Sequence, residues 1–277
     1  MDMTRIRPQR IRLLGEAVDL ATPAEVMNFV ARKVAADQRA IIGNHNTHSL
    51  HLVTREPEMR EFYARADLIE LDSTPLVMWG KLTGKPVSRA HRCTYLDWRD
   101  DFWRLASRHG WRVFYLGGAP GVPELAAERL RDRYPGVTLA GRNGYFDAEP
   151  GSADSIAVLA EINAFKPDIL FVGMGMPRQE QWIVRNFDQL ERGVVFSIGA
   201  AFDYEAGVQV TPPRWIGQIG LEWAFRLALS PSRLARRYLV EPWSLAPAAA
   251  RDLVLTFAAK PRRRTAGPLT ERRNSLG

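Results

Sequence analysis

The chain has 277 residues, 46% apolar and 25% charged, with a net charge of +7 and a single cysteine, Cys93. That length allows one large α/β domain or two small ones, while one cysteine excludes an internal disulfide framework and fits a reducing compartment. No apolar run approaches a membrane span, and the basic start MDMTRIRPQRIRLLG lacks the apolar core and cleavage site of a signal peptide, so the cytoplasm is the expected location.

In chain order, the first clear element is a short strand, Ala40–Ile42, leading into NHNTHSLHLV. His45, His48 and His51 recur there every three residues. A metal site would want a further carboxylate or cysteine at ligand spacing, and none is close. No metal is expected; one histidine facing a crevice while the others pack or meet solvent is the simpler reading. A second strand, Asp67–Leu71, delivers Asp72 ahead of Ser73-Thr74-Pro75. A carboxylate at a sheet edge can act as a general base; it can equally be a helix N-cap or turn former. Asp203 carries the same ambiguity.

Three segments then repeat one pattern of strand, glycine turn and helix: WRVFYLGGAPGVPELAAERL, KPDILFVGMGMPRQEQWIVRN and GVVFSIGAAFDYEAG. Pro123 suits a helix start. Uniformly apolar strands alternating with helices predict a mostly parallel, Rossmann-like sheet covered by helices on both faces, with a ligand crevice at the strand carboxyl ends. Gly117, Gly118, Gly173 and Gly175 would let backbone N–H groups approach a phosphate at helix N-termini; tight turns use glycine too. A dinucleotide oxidoreductase is disfavoured, since no GxGxxG follows the first strand and no acidic ribose partner stands about 20 residues beyond.

After Thr211-Pro212-Pro213 the character changes to aromatic, basic and helical in period, with Ser230-Pro231 as a break between two helices. Between Arg226 and Arg264 nine basic residues face only Glu241 and Asp252, so this segment carries the whole +7 and the rest sums to zero. The boundaries read as a core over 1–210, a basic amphipathic appendage over 211–260 and a tail over 261–277 whose polar, breaker-rich composition predicts disorder. Such an appendage suits an anionic membrane surface; an ordinary packing helix followed by a solvated basic tail is the alternative. A non-enzymatic module binding membrane or nucleic acid is the rival to an enzyme.

Several motifs in order carry a resemblance: FYLGGAPGVPELAAERL, YPGVTLAGRNGYF, PDILFVGMGMPRQEQWI, SIGAAFDYEAG and PPRWIGQIGLEWAFRLALSPSRLARRYL. Over roughly residues 12–240 the chain resembles the WecG/TagA/CpsF family of bacterial glycosyltransferases. The resemblance implies an inverting transfer from a UDP-sugar to a polyprenyl-diphosphate-linked saccharide, in the synthesis of exopolysaccharide, capsule or another cell-envelope polymer. It implies an enzyme working peripherally on the inner face of the plasma membrane, with no metal or other cofactor, no nucleic-acid partner, and room for a homo-oligomer.

The same resemblance makes Asp72 the base, although Ser73 stands where the family has glycine. It implies acceptor or sugar contacts at Asn44 and Asn46, which represent a Thr-x-Asn element without its threonine, and at Arg89. It implies nucleotide contacts at Gly117, Gly118, Gly173, Gly175, Gln179, Glu180 and Asp203, with Gln179 and Glu180 placed for the uridine or ribose. Arg178, Arg226, Arg233, Arg236 and Arg237 become the expected cations for diphosphate and membrane. The segment AHRCTYLDW departs from the family's Val-Thr-Gly pattern, in the half expected to hold sugar and acceptor.

Overall fold

A computed structural model describes residues 8–211, 213, 216 and 221–258, apart from the Arg233 side chain. Eight strands occur among them. An antiparallel hairpin, β1 (Gln9–Leu13) and β2 (Glu16–Leu20), precedes a six-stranded parallel sheet in the order β4-β3-β8-β7-β5-β6. The sheet strands are β3 (Ala40–His45), β4 (Leu68–Leu71), β5 (Arg112–Gly117), β6 (Thr138–Arg142), β7 (Ile169–Gly173) and β8 (Val194–Ser197).

The uniformly apolar strands do what their composition predicts, and alternate residues feed two cores. Val113, Tyr115, Ile169, Phe171, Val194 and Phe196 join one cluster; Phe114, Leu116, Leu170, Val172 and Val195 join the other. The first face is covered by α1 (Pro23–Ala35), α5 (Tyr95–His109) and α6 (Val122–Arg133), through Phe29, Trp98, Phe102, Trp103 and Leu130. The second is covered by α3 (Pro57–Arg65), α7 (Ala153–Phe165) and α8 (Arg178–Asn186), through Phe62, Val158, Ile162, Trp182 and Ile183. Register places Tyr115 beside Phe171 and Phe171 beside Phe196, a continuous aromatic layer across three strands.

The hairpin turns at Leu14 and Gly15, both at positive φ (53° and 89°), as a two-residue turn between twisted strands requires. Asp19 fastens it to the sheet edge: its carboxylate accepts from the Ile69 backbone N–H at 2.8 Å and pairs with Arg10 at 2.7 Å. The helix α5 starts at a capping box in which Thr94 and Asp97 exchange bonds.

Beyond the core, helices Glu222–Leu229 and Pro231–Ala235, a wide π-helical turn over Arg236–Val240, a tight 3-10 turn over Glu241–Leu245, and helix Ala246–Ala258 pack back on the sheet domain. The break expected at Ser230-Pro231 is present. The docking bonds are specific. His48 meets Glu241, His51 Nδ1 meets Ser244 Oγ at 2.7 Å, and Asp252 accepts from Leu14 N–H at 2.8 Å and, at 3.1 Å, from Nε1–H of Trp79 in α4 (Thr74–Leu82). Two of the three regularly spaced histidines thus fasten the appendage. Residues 261–277, where sequence predicts disorder, lie outside the described residues, as does Trp215.

Candidate active site

Asp72 follows directly on β4, and its backbone N–H donates to the His45 carbonyl at 2.9 Å, so the ends of β4 and β3 lie together. The short helix α2 (Thr47–Val53) begins one residue after Asn46, which caps it: Asn46 Oδ1 accepts from His48 N–H and Ser49 N–H, both at 3.0 Å. His45 is fully buried, stacked on Tyr63 with ring centroids 3.7 Å apart, its Nδ1 2.9 Å from Ser49 Oγ. Burial alone drives its pKa down to about 3, so it is a neutral imidazole. Asn44 ties β3 to β8 by donating from Nδ2 to the Ser197 carbonyl at 2.6 Å.

The arginine that the fold brings to Asp72 is Arg92. A bridge between Leu71 and Arg92, with Cys93 N–H donating to the Leu71 carbonyl at 3.0 Å, lays the 89–93 segment along the end of β4. Arg92 is buried and pairs with Asp97 at 3.1 Å and with Glu222 of the appendage at 2.5 Å. Arg89 is exposed on the preceding turn. Arg226 and Arg237 complete the surroundings of Asp72. The Nε of each is buried with no hydrogen-bond partner among the described residues, and the Arg226 guanidinium stands 5.9 Å from the Tyr204 ring centroid. Arg236, one residue away, points to solvent.

These neighbours set the charge of Asp72. Burial raises its pKa to about 6; Arg226 and Arg92 pull it down, while Glu222 and Asp97 push it up. A carboxyl with that value is ionised at neutral pH and still basic enough to take a proton. Two residues earlier in β4, Glu70 is buried under Trp98 and Cys93, with Trp98 Nε1 donating at 2.9 Å. Burial raises Glu70 to about 8, so it is predominantly neutral at pH 7 and adds little negative charge behind Asp72.

The other half of the crevice is backbone. A Cβ on Gly117 would fall 2.4 Å from the Gly173 carbonyl oxygen, and one on Gly173 would fall 2.4 Å from that of Gly199. Three strand ends therefore converge with no room for side chains. Gly118 N–H donates to the Gly173 carbonyl at 3.2 Å. The N-caps of α6 and α8 are Gly121 and Pro177, and neither helix has a side-chain cap; Val122 N–H and Gln179 N–H are taken by the Ala119 and Gly175 carbonyls, so what these ends offer an anion is chiefly the positive end of the helix dipole.

The remaining expected site residues are placed as follows. Gln179 and Glu180 are 1% and 0% exposed, and their hydrogen bonds are to each other and to loop backbone. Arg178 donates to the Phe146 carbonyl and lies over the Phe146 ring. Asp203 sits in α9 (Ala201–Glu205), near Tyr115. Arg92, Glu222 and Tyr204 carried no sequence signal of their own; the Thr94-x-x-Asp97 capping box marks the start of α5 and is the one local cue near Arg92.

A parallel α/β sheet with a carboxylate at one strand end, glycine loops at three others and a cationic helical appendage folded over it defines the class. The model of the Glycosyl transferase WecG/TagA/CpsF family matches residues 11–258, and the chain belongs to that family. Among its relatives, the N-acetylglucosaminyldiphosphoundecaprenol N-acetyl-beta-D-mannosaminyltransferases of Staphylococcus aureus strains NCTC 8325 / PS 47 and COL are each 28% identical over 242 residues, covering 84% of this chain and 89% of theirs.

Proposed function

We infer that this glycosyltransferase moves a sugar from a UDP-sugar to a polyprenyl-diphosphate-linked saccharide, with Asp72 as general base. The activity named for the relatives supports the acceptor class, since their acceptor is an N-acetylglucosaminyl diphosphoundecaprenol. The observation that carries the mechanism is the place of Asp72 at the joined ends of β4 and β3, with the charges of Arg226 and Arg92 acting on it.

Asp72 takes the proton of an acceptor hydroxyl as that oxygen attacks the anomeric carbon from the face opposite the leaving group. The C–O bond to the diphosphate breaks, and UDP leaves with the electron pair and its negative charge. Arg226 and Arg237 are half-buried cations, each with a buried Nε that has no partner among the described residues, and a charge-assisted bond to an anion is among the strong ones. The positive ends of the α6 and α8 helix dipoles lie on the other side, beside loops whose glycines leave room for a ligand, so charge is met where it develops. In this reading the arginines supply the positive charge that meets the departing diphosphate.

The appendage also supports a peripheral membrane position at the cytoplasmic face. Among the described residues no helix is long and apolar enough to cross a membrane. Leu239, Val240, Trp243, Val254, Leu255 and Phe257 are exposed, Trp243 by 77%, alongside exposed Arg236 and Arg251. Apolar and cationic side chains presented together suit an anionic lipid interface.

The test is UDP release from a panel of UDP-sugars, N-acetylmannosamine first, with a polyprenyl-diphosphate-monosaccharide in anionic liposomes. Release from one donor is expected to depend on acceptor and to fall by about 10²–10⁴ in Asp72→Asn, with donor binding retained. Full activity of that variant would remove Asp72 from the chemistry.

A further inference from the structure

Gln179 and Glu180 lie on the first turn of α8, almost wholly out of solvent. A primary amide has a donor end and an acceptor end, and its shape alone does not fix which way round it sits. Here Gln179 Oε1 accepts from Gly175 N–H at 3.2 Å and from Gly199 N–H at 3.1 Å, while its Nε2 donates to Glu180 Oε1 at 2.7 Å. Gly175 belongs to the loop between β7 and α8; Gly199 belongs to the loop between β8 and α9. One side chain therefore stitches two loops. With the amide turned over, its NH2 would face two N–H donors and its oxygen would face a carboxyl oxygen.

The loop tips need such a stitch. Gly117 and Gly173 are held by close approach, but Gly175 and Gly199, at φ +83° and +56°, have open space where a Cβ would sit. Glycines without neighbours have wide backbone freedom. We propose that Glu180 is a positioning residue of the donor site: it fixes the orientation of the Gln179 amide, which in turn holds the Gly175 and Gly199 loops in the arrangement that receives the diphosphate. The last clause rests on the reading of these loops given above.

The rest of Glu180 fits that role. Its Oε2 has no hydrogen-bond partner, nor does Ser197 Oγ, although the hydroxyl is near enough to favour the ionised form. Burial, the largest influence, raises its pKa to about 7. Oε1 can accept from Gln179 in either protonation state, so the stitch holds across neutral pH.

The test combines hydrogen–deuterium exchange over residues 173–180 and 197–202 with UDP binding by calorimetry. Glu180→Gln retains an oxygen acceptor, and both readouts are expected within about twofold of wild type. Glu180→Ala leaves the Gln179 NH2 unpaired; exchange at Gly175 and Gly199 is expected to quicken and UDP to bind more weakly, each by about tenfold. Gln179→Glu sets two carboxyls face to face and should do at least as much harm. Combining it with Glu180→Gln restores donor-to-acceptor order, so recovery to within about threefold is expected. Unchanged exchange at both glycines in Glu180→Ala, or no recovery in the double variant, overturns the proposal. A lowered melting temperature with wild-type exchange and UDP affinity would make Glu180 a packing residue only. Exchange that responds as expected in a chain that binds no UDP would uphold the stitch and overturn the donor reading.

Discussion

The two halves of the crevice are built by different means. On the β3–β4 side the working groups are charged side chains, and their partners come from far along the chain: Arg92 meets Glu222 across 130 positions, and His48 meets Glu241 across 193. On the β5–β7–β8 side the working surface is backbone, shaped by glycines within a few residues of each strand end. The first half depends on the appendage being docked. The second depends on the sheet and on the first turn of α8, whose Gln179 ties two of its loops. The proposed chemistry and the proposed donor seat are therefore separable, and a chain could keep one while losing the other.

The strongest way to break that division is through the arginines. Arg226→Met is expected to lower kcat/KM by about 10²-fold, the scale of removing one group that stabilises transition-state charge. Arg226 is the largest influence opposing the raised pKa of Asp72, so its loss should also move the acidic limb of the pH–rate profile upward from about 6. A profile that stays in place would separate Arg226 from the base. Donor binding through the glycine half should weaken far less than turnover.

Gly173→Ala attacks the other half. A Cβ there lies 2.4 Å from the Gly199 carbonyl oxygen and 2.7 Å from the Tyr115 ring, and neither neighbour is a loose side-chain end. A loss of about 1–3 kcal/mol in denaturant unfolding is expected, with UDP affinity falling while the pH midpoint of any remaining activity stays near 6. An unchanged denaturant midpoint would show that the strand ends can part without cost.

The third prediction concerns what the base costs the fold. An unfolded aspartate titrates near 3.9, whereas Asp72 titrates at about 6 in the folded chain. Between those values the folded state holds the extra proton, so stability falls as pH rises from about 4 to 6 and stays reduced above. Asp72→Asn escapes that loss. Its unfolding free energy should exceed wild type by about 1–3 kcal/mol at pH 8, with the gap closing below pH 4. A gap that does not vary with pH would mean that Asp72 is not held above its ordinary range.

How much was legible beforehand follows the same division. The strands 112–117, 169–173 and 194–197, their glycine turns and the helices after them are written in local periodicity, and so is the doubly covered sheet. Asp72 was legible as a carboxylate ending a strand. Arg92 was not, because its place beside Asp72 comes from a two-residue bridge at the sheet edge that has no sequence pattern. Gln179 and Glu180 read as polar residues opening a helix and placed for the uridine or ribose, and only the tertiary fold shows them buried and bonded to each other and to loop backbone. The regular spacing of His45, His48 and His51 suggested one helical face; in fact His45 ends β3, and the other two grip an appendage about 190 residues downstream.

Asp252 closes a loop of 238 residues when it accepts from Leu14 N–H. Closing loops of that length is entropically costly, and contacts of high sequence separation form late in folding. The hairpin turn that Asp252 grips also leads into Asp19, which holds β2 to β4, the strand that carries Asp72. During synthesis the sheet can assemble on the ribosome before residues 222–252 emerge. On the proposed reading, a nascent chain would then hold the donor seat without its cations, and catalytic competence would arrive with the appendage, after the body of the protein is already folded.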